Sequence, residues 1–190
     1  ADQDRTLVAQ RQRLVGLQTR AKNVLHAVLH RNQLAQPVGS LPFSDKHADF
    51  WLNLPDISIS EKIEVRLQWD LLQYVERDVA IVEQHMAEVA GKDDAVKLLV
   101  QLPGVAMINA ITIMAAIGDI ARFPKARQLV GYAGLGGVVQ QSSDNLWQGP
   151  ISCDGRGDLR TAMVDVATHA VDCHPHWKRL YKHLQHKGNG

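Results

Sequence analysis

Two cysteines in 190 residues are too few for a disulfide-built scaffold, and they fit a reducing compartment. Long apolar runs are also missing. The best candidate, Met107 to Ile117, is interrupted by Asn109 and Thr112, is followed by Gly118, and falls short of the ~20 residues a membrane helix needs. The start of the chain lacks the basic-then-apolar pattern of a secretory signal. No Gly-Lys-Ser/Thr occurs, and no G-x-G-x-x-G follows an expected strand, so nucleotide-binding loops of those types are excluded. There is no internal repeat and no low-complexity segment. With 45% hydrophobic and 22% charged residues, the chain is of ordinary globular composition, and its length suits one domain or one domain with an appendage.

The net charge of +1 hides a segregation. Residues 1–36 carry six bases against two acids, and residues 37–92 carry ten acids against five bases. Residues 93–190 carry ten bases against eight acids. The last eighteen residues hold Lys178, Arg179, Lys182, Lys187 and four histidines but no acid. Basic ends of this kind suit a phosphate backbone; a solvated surface shows the same pattern.

Residues 3 to about 34 read as one long helix, with Leu14, Leu17, Ala21, Val24 and Val28 spaced by three and four. The stretch Gln36 to Pro55 is rich in turn residues, yet Phe43, Phe50, Trp51 and Leu52 suggest that it packs down. A second long helix follows, capped at Ser58 or Ser60 and ended by Gly91. Its Leu72, Val75, Val79, Val82, Met86 and Val89 form a heptad seam. The expected architecture is all-α: a two-helix coiled-coil connector and dimerisation segment over residues 1–92, then a compact domain over residues 93–190. In that domain, short helices over Ala95–Gln101 and Ala126–Ala133 flank an apolar helix over Met107–Ile120. Val138 to Ser152 is expected to form a short β-hairpin around Asp144-Asn145. Asp158 is expected to cap a last helix, whose inner face is Leu159, Met163, Val166 and Ala170.

Helix, Leu102-Pro103-Gly104-Val105, helix is the pattern of a helix-hairpin-helix, whose backbone N–H groups over Gly104, Val105 and Ala106 can meet a phosphate at a helix start. An ordinary αα-hairpin has the same local pattern. Ser142 and Ser143 lie beside the hairpin turn, where a serine becomes a nucleophile only if a base or metal activates it. Cys173, His174 and His176 match no structural-zinc spacing, and no metal site is assigned.

From Leu99 onward the motifs stand in a telling order. Pro103, Gly104 and Val105 precede Ile117, Gly118 and Asp119; Arg122, Phe123, Gly134, Leu135 and Ser142 follow; then come Gly149, Ile151, Ser152, Gly155, Leu159 and Arg160. The series resembles the C-terminal transposase domain of the insertion-sequence one-ten family of bacterial transposases, relatives of the pilin-gene invertase Piv. Arg11 to Leu34 resembles the arginine-rich helix that precedes the family's coiled coil. Against the family pattern, Ala106 replaces a glycine, Gly137 a proline and Ser143 the glycine after the serine, and no base lies between 144 and 155.

The resemblance implies a DNA recombinase of mobile elements with a composite active site. A ribonuclease-H-like domain, expected to precede Ala1, would hold magnesium on acidic residues. The present chain, expected to be the C-terminal half, would bring no cofactor of its own. It would supply Ser142, with Ser143 as rival, to attack a DNA phosphate. Arg156 and Arg160 would contact phosphate, with Lys178, Arg179 and Lys182 as further nucleic-acid contacts. The expected partners are DNA, an element-encoded RNA and further copies of the chain as dimer or tetramer, with no membrane. The expected location is the bacterial cytoplasm, at the nucleoid. The alternatives are a non-catalytic nucleic-acid-binding and oligomerisation module, and a helical protein that only mediates interactions.

Overall fold

Helix α1 runs from Asp2 to Arg31 and α3 from Ile59 to Ala90, with the short α2 (Ala48–Leu52) between them. After α3 come α4 (Asp94–Leu99), α5 (Met107–Ile117) and α6 (Ala126–Tyr132), then strands β1 (Gly137–Ser142) and β2 (Asn145–Ile151), then α7 (Gly157–Cys173) and α8 (Pro175–Gly188). The computed structural model describes residues 2–39, 41–142 and 145–188, apart from the side chains of Asp2, residues 139–148 and Gly188. The protein is mainly α-helical, as its periodicity indicates, and divides into two compact units: residues 9–84, and residues 1–8 with 85–190. No described helix is long and apolar enough to cross a membrane.

In the unit of residues 9–84, α1 and α3 lie antiparallel. Arg11 meets Glu83 at 2.8 Å, Gln18 donates to Glu76 at 3.0 Å, and Arg31 meets Glu64 at 2.8 Å. Lys22 reaches Glu76 at 3.4 Å. The basic start of the chain and its acidic middle are therefore complementary faces of one helix pair. Such half-exposed pairs are individually weak, but they penalise parallel or slipped alignments. Beneath them, Ala21, Leu25, Val28 and Leu29 pack on Val65, Trp69 and Leu72, closed by Trp51, Leu54 and Ile57.

The connecting stretch is packed down, as its aromatics suggest. The Trp51 indole donates to the Pro42 carbonyl at 2.7 Å and stacks between Phe43 and Trp69. Helix α3 starts on Ser58. Its hydroxyl accepts from Glu61 N at 3.3 Å, while the Glu61 carboxylate accepts from Ser58 N at 3.1 Å, a reciprocal capping box. Hydrogen bonds from Asn32 and then Ser58 hold the Glu61 carboxyl below its usual range.

One seam differs from the periodic reading. Leu17 is 38% exposed, whereas Leu25 is fully buried. The inward line on α1 runs through Leu14, Gln18, Ala21, Leu25 and Val28, one step round from a line through Leu17 and Val24. The interhelical bond from Gln18 to Glu76 lets a polar side chain occupy this line.

In the other unit, Asp93 starts α4 by accepting from Ala95 N at 2.8 Å and Val96 N at 3.3 Å. Ile113, Ala116 and Ile117 of α5 form the core with Ala133 and with Leu159 and Ala162 of α7. Helix α5 stops at Ile117, three residues short of the expected Ile120. Gly118 takes φ +65°, and Asp119 caps a separate turn by accepting from Ala121 N at 2.9 Å. Helix α7 starts one residue before Asp158, on Arg156 as its cap, so Asp158 lies in the first turn. The expected hairpin pairs over 137–142 and 145–151, one residue earlier than the expected 138–152, and Asp144 of the expected turn lies outside the described residues. Helix α8, beyond the last helix expected from the sequence, has Pro175 at its first position.

The seam gives a contrast for chemical denaturation. Leu25→Ala should cost about 2–5 kcal/mol, whereas Leu17→Ala should cost under about 1 kcal/mol. The opposite ranking would return the seam to Leu17.

Candidate functional site

Strands β1 and β2 pair antiparallel, with Gly137 opposite Ile151, Gln140 opposite Trp147 and Ser142 opposite Asn145, and with an irregularity between Gly137 and Val139. Ser142 is thus the last paired residue before the turn. Its side chain, and all of Ser143, lie outside the described residues. The hairpin projects the candidate serine by roughly 15–20 Å of extended chain from the strand base, at about 3.4 Å per residue.

The base of the hairpin is closed mainly by backbone. Ser152 N donates to Gly136 O at 2.8 Å, Cys153 N to Gly134 O at 3.2 Å and Arg156 N to Tyr132 O at 2.8 Å. The arms approach so closely that a Cβ on Gly134, which has φ +69°, would stand 2.6 Å from Gly155 N and 2.6 Å from Arg160 Nη1. Only glycine fits both demands.

Arg156 and Arg160 both lie at this base. Arg156 donates to both oxygens of Asp158, with its shortest contact 2.8 Å, and reaches the Tyr132 hydroxyl at 3.5 Å. The fork suits the carboxylate, so the Asp158 carboxyl is held below its usual range and the guanidinium is made harder to deprotonate. The bond from Arg156 also lowers the Tyr132 phenol. Arg122 lies over the Tyr132 and Phe123 rings, at 5.6 and 5.5 Å. Arg160 Nη1 donates to Ala133 O at 3.3 Å and to Cys153 O at 3.0 Å.

The turn between α4 and α5 forms a second feature. Val105 N donates to Leu102 O at 3.2 Å, and Gly104 has φ +85°. Its Cα faces α7: a Cβ there would stand 2.7 Å from Val166 O. Glycine at 104 is therefore required by backbone conformation and helix packing. The start of α5 is open, with exposed Ala106 as its cap and no side-chain capping bond. A carboxylate already lies beside it. Asn109 Nδ2 donates to Asp165 Oδ2 at 2.6 Å, which weakens the positive end that an anion would seek.

Helix α8 forms the third feature. Trp177, Leu180, Tyr181 and Leu184 share one face and, with Val105 and Val166, border an apolar cavity of about 360 Å³. Lys178, Arg179 and Lys182 project elsewhere on this helix, are exposed, and have no ion-pair partner among the described residues. The fold thus groups the sequence candidates into three places: Ser142 at the hairpin tip, Arg156 and Arg160 at its base, and the Gly104–Ala106 turn near α8.

Sequence reasoning missed Tyr132, Asp158 as the partner of Arg156, and Asp165 beside α5. It also missed α8 as a helix, although Pro175 and the spacing of Trp177, Leu180, Tyr181 and Leu184 signal one. Among the described residues, no group of three or more His, Cys, Asp or Glu side chains is arranged to hold a metal ion.

The Arg156–Asp158 tie has a pH signature. The carboxyl is lowered on folding, so its contribution to stability is complete above the unfolded carboxyl value of about 3.9 and is lost as pH falls through the lower folded value. The difference in melting temperature between the natural protein and Asp158→Asn should be full above about pH 5 and shrink below about pH 4. A difference independent of pH would dismiss the tie.

Residues 96–182 match the model of a family described as Transposase IS116/IS110/IS902 family. The transposase for insertion sequence element IS1111A of Coxiella burnetii (strain RSA 493 / Nine Mile phase I) is 25% identical over 181 residues, which cover 93% of this chain and 46% of that protein. The chain spans about half the length of the curated relative it matches.

Proposed function

We propose that this chain, whose residues 96–182 match the model of the IS116/IS110/IS902 transposase family, binds nucleic acid and presents Ser142 to a DNA phosphate during strand exchange. The observation that carries the reading is the hairpin within this domain, which places a serine at the end of its first strand, beside the turn. In the proposed step, the bond from serine oxygen to phosphorus forms as the bond from phosphorus to a sugar oxygen breaks. The serine loses its proton, the departing sugar oxygen gains one, and the chain is left joined to DNA.

Magnesium, which would neutralise phosphoryl charge and activate the hydroxyl, has no matching cluster among the described residues. It would be bound by a part of the protein other than these residues. Lys178, Arg179 and Lys182 supply the backbone-directed, sequence-blind contact to DNA or to a structured RNA. Self-association is supported by the outer side of α3, where Ile63, Leu67, Tyr74 and Ile81 are all more than half exposed and are spaced by four, seven and seven.

A second reading, a nucleic-acid-binding and oligomerisation module without chemistry, is favoured by the same free cations on α8. It shares every partner with the first and differs only at Ser142.

Binding of this chain to duplex DNA and to structured RNA should weaken steeply with salt. Replacing Lys178, Arg179 and Lys182 together by alanine should flatten the salt slope by about 2–3. Light scattering should give a mass above the 21.1 kDa of one chain. Salt-independent or absent binding to both nucleic acids would leave only an interaction role. In the protein extended to the length of its relative, Ser142→Ala should abolish covalent protein–DNA adducts while leaving salt-dependent binding intact. Adducts that persist would sink Ser142 as the nucleophile and turn attention to Ser143.

A further inference from the structure

The two arginines at the base of the hairpin differ in what they hold. Arg156 is neutralised by Asp158 at 2.8 Å in the same turn of chain. Arg160, on α7, has no carboxylate partner among the described residues. Its Nη1 instead bridges two carbonyls, Ala133 O on the chain entering the hairpin and Cys153 O on the chain leaving it. Those carbonyls are twenty residues apart in sequence and sit where the arms come closest. Gly134 makes that bridge fit, since a Cβ there would stand 2.6 Å from the same Nη1.

We infer that Arg160 is a positioning residue: it locks the two arms of the hairpin to α7 and so fixes where the Ser142 tip lies. Three observations converge on it. One nitrogen satisfies a carbonyl from each arm. A residue without a side chain clears the space for it. The flanking backbone bonds, Cys153 N to Gly134 O and Ser152 N to Gly136 O, continue the pairing of the strands down to this level. A hairpin of only two strands is marginally stable alone, so an anchor at its base decides whether the tip has one position or many. The geometry also separates Arg160 from the reacting phosphate. Five residues of strand, roughly 15–20 Å, lie between the base and Ser142. A guanidinium held on backbone carbonyls at one end does not touch the phosphate attacked at the other.

The consequence for strand exchange rests on the reading of Ser142 as nucleophile; the lock itself does not. The test compares Arg160→Gln and Arg160→Lys with the natural chain by amide hydrogen exchange and by DNA titration at several salt concentrations. In Arg160→Gln, the amides of 137–151 should exchange at least tenfold faster, those of α5 should stay protected, and the salt slope should be unchanged. Arg160→Lys keeps the charge but not the planar reach to two carbonyls, so the hairpin should loosen in this variant as well. In the extended protein, Arg160→Gln should slow adduct formation at saturating DNA at least tenfold without loss of affinity.

Unchanged hairpin exchange in both variants, with a salt slope lower by about 1 in Arg160→Gln alone, would make Arg160 a phosphate contact and overturn the proposal. Exchange that rises equally in α5 would overturn it too, since Arg160 would then support the whole unit. Hydrogen exchange requires no reaction. A loosened hairpin together with adducts that survive Ser142→Ala would therefore sustain the lock and remove only the nucleophile.

Discussion

The candidate site depends on the contact between two stretches of bare backbone, at Gly134 and Gly155. Neither stretch carries a side chain there, so the chain entering the hairpin and the chain leaving it come within direct reach. From that approach follow the backbone bonds beneath the sheet, the seat for the Arg160 guanidinium and the position from which α7 starts. A side chain at either glycine would part the arms. The hairpin would then be joined to its unit only through its two connecting peptides, and Ser142 would have no fixed place.

Charge works differently in the two units. In residues 9–84 part of it joins the two long helices. Arg11, Lys22 and Arg31 face Glu83, Glu76 and Glu64, so the basic start of the chain is an alignment device for a helix pair before it is a surface for a polyanion. In the other unit the arginines nearest the hairpin are likewise occupied, Arg156 by a carboxylate and Arg160 by carbonyls. Among the described residues, Lys178, Arg179 and Lys182 of α8 have no ion-pair partner. A chain of net charge +1 thus carries a locally basic helix at α8.

Glycine in a turn has two readings, and Gly104 shows how they separate. As sequence, Leu-Pro-Gly-Val between helices suggests close approach of a phosphate. In the fold, the Cα of Gly104 is pressed against Val166 and Ala170 of α7. The start of α5 itself has no side-chain capping bond. The phosphate reading has to contend with Asp165, which a local pattern cannot reveal because it lies fifty-six residues from the Asn109 that binds it.

The sequence by itself determined the helical class, the two long helices, a serine cap at Ser58 or Ser60 and the hairpin. Each of these rests on interactions within a few residues: side-chain periodicity, a hydroxyl next to backbone donors, a polar turn between extended runs. The ordered motifs likewise pointed to the family whose model matches residues 96–182, since residue identity and order suffice for that. Tertiary structure decided the rest. Whether Leu17 or Leu25 faces α3 depends on where Gln18 finds its partner, and that partner is on another helix. Whether an arginine is free for phosphate depends on which carbonyls and carboxylates the fold brings to it. Arg160 reads as a phosphate contact by resemblance, and in the fold it donates to two carbonyls, those of Ala133 and Cys153, which become neighbours only when the hairpin closes.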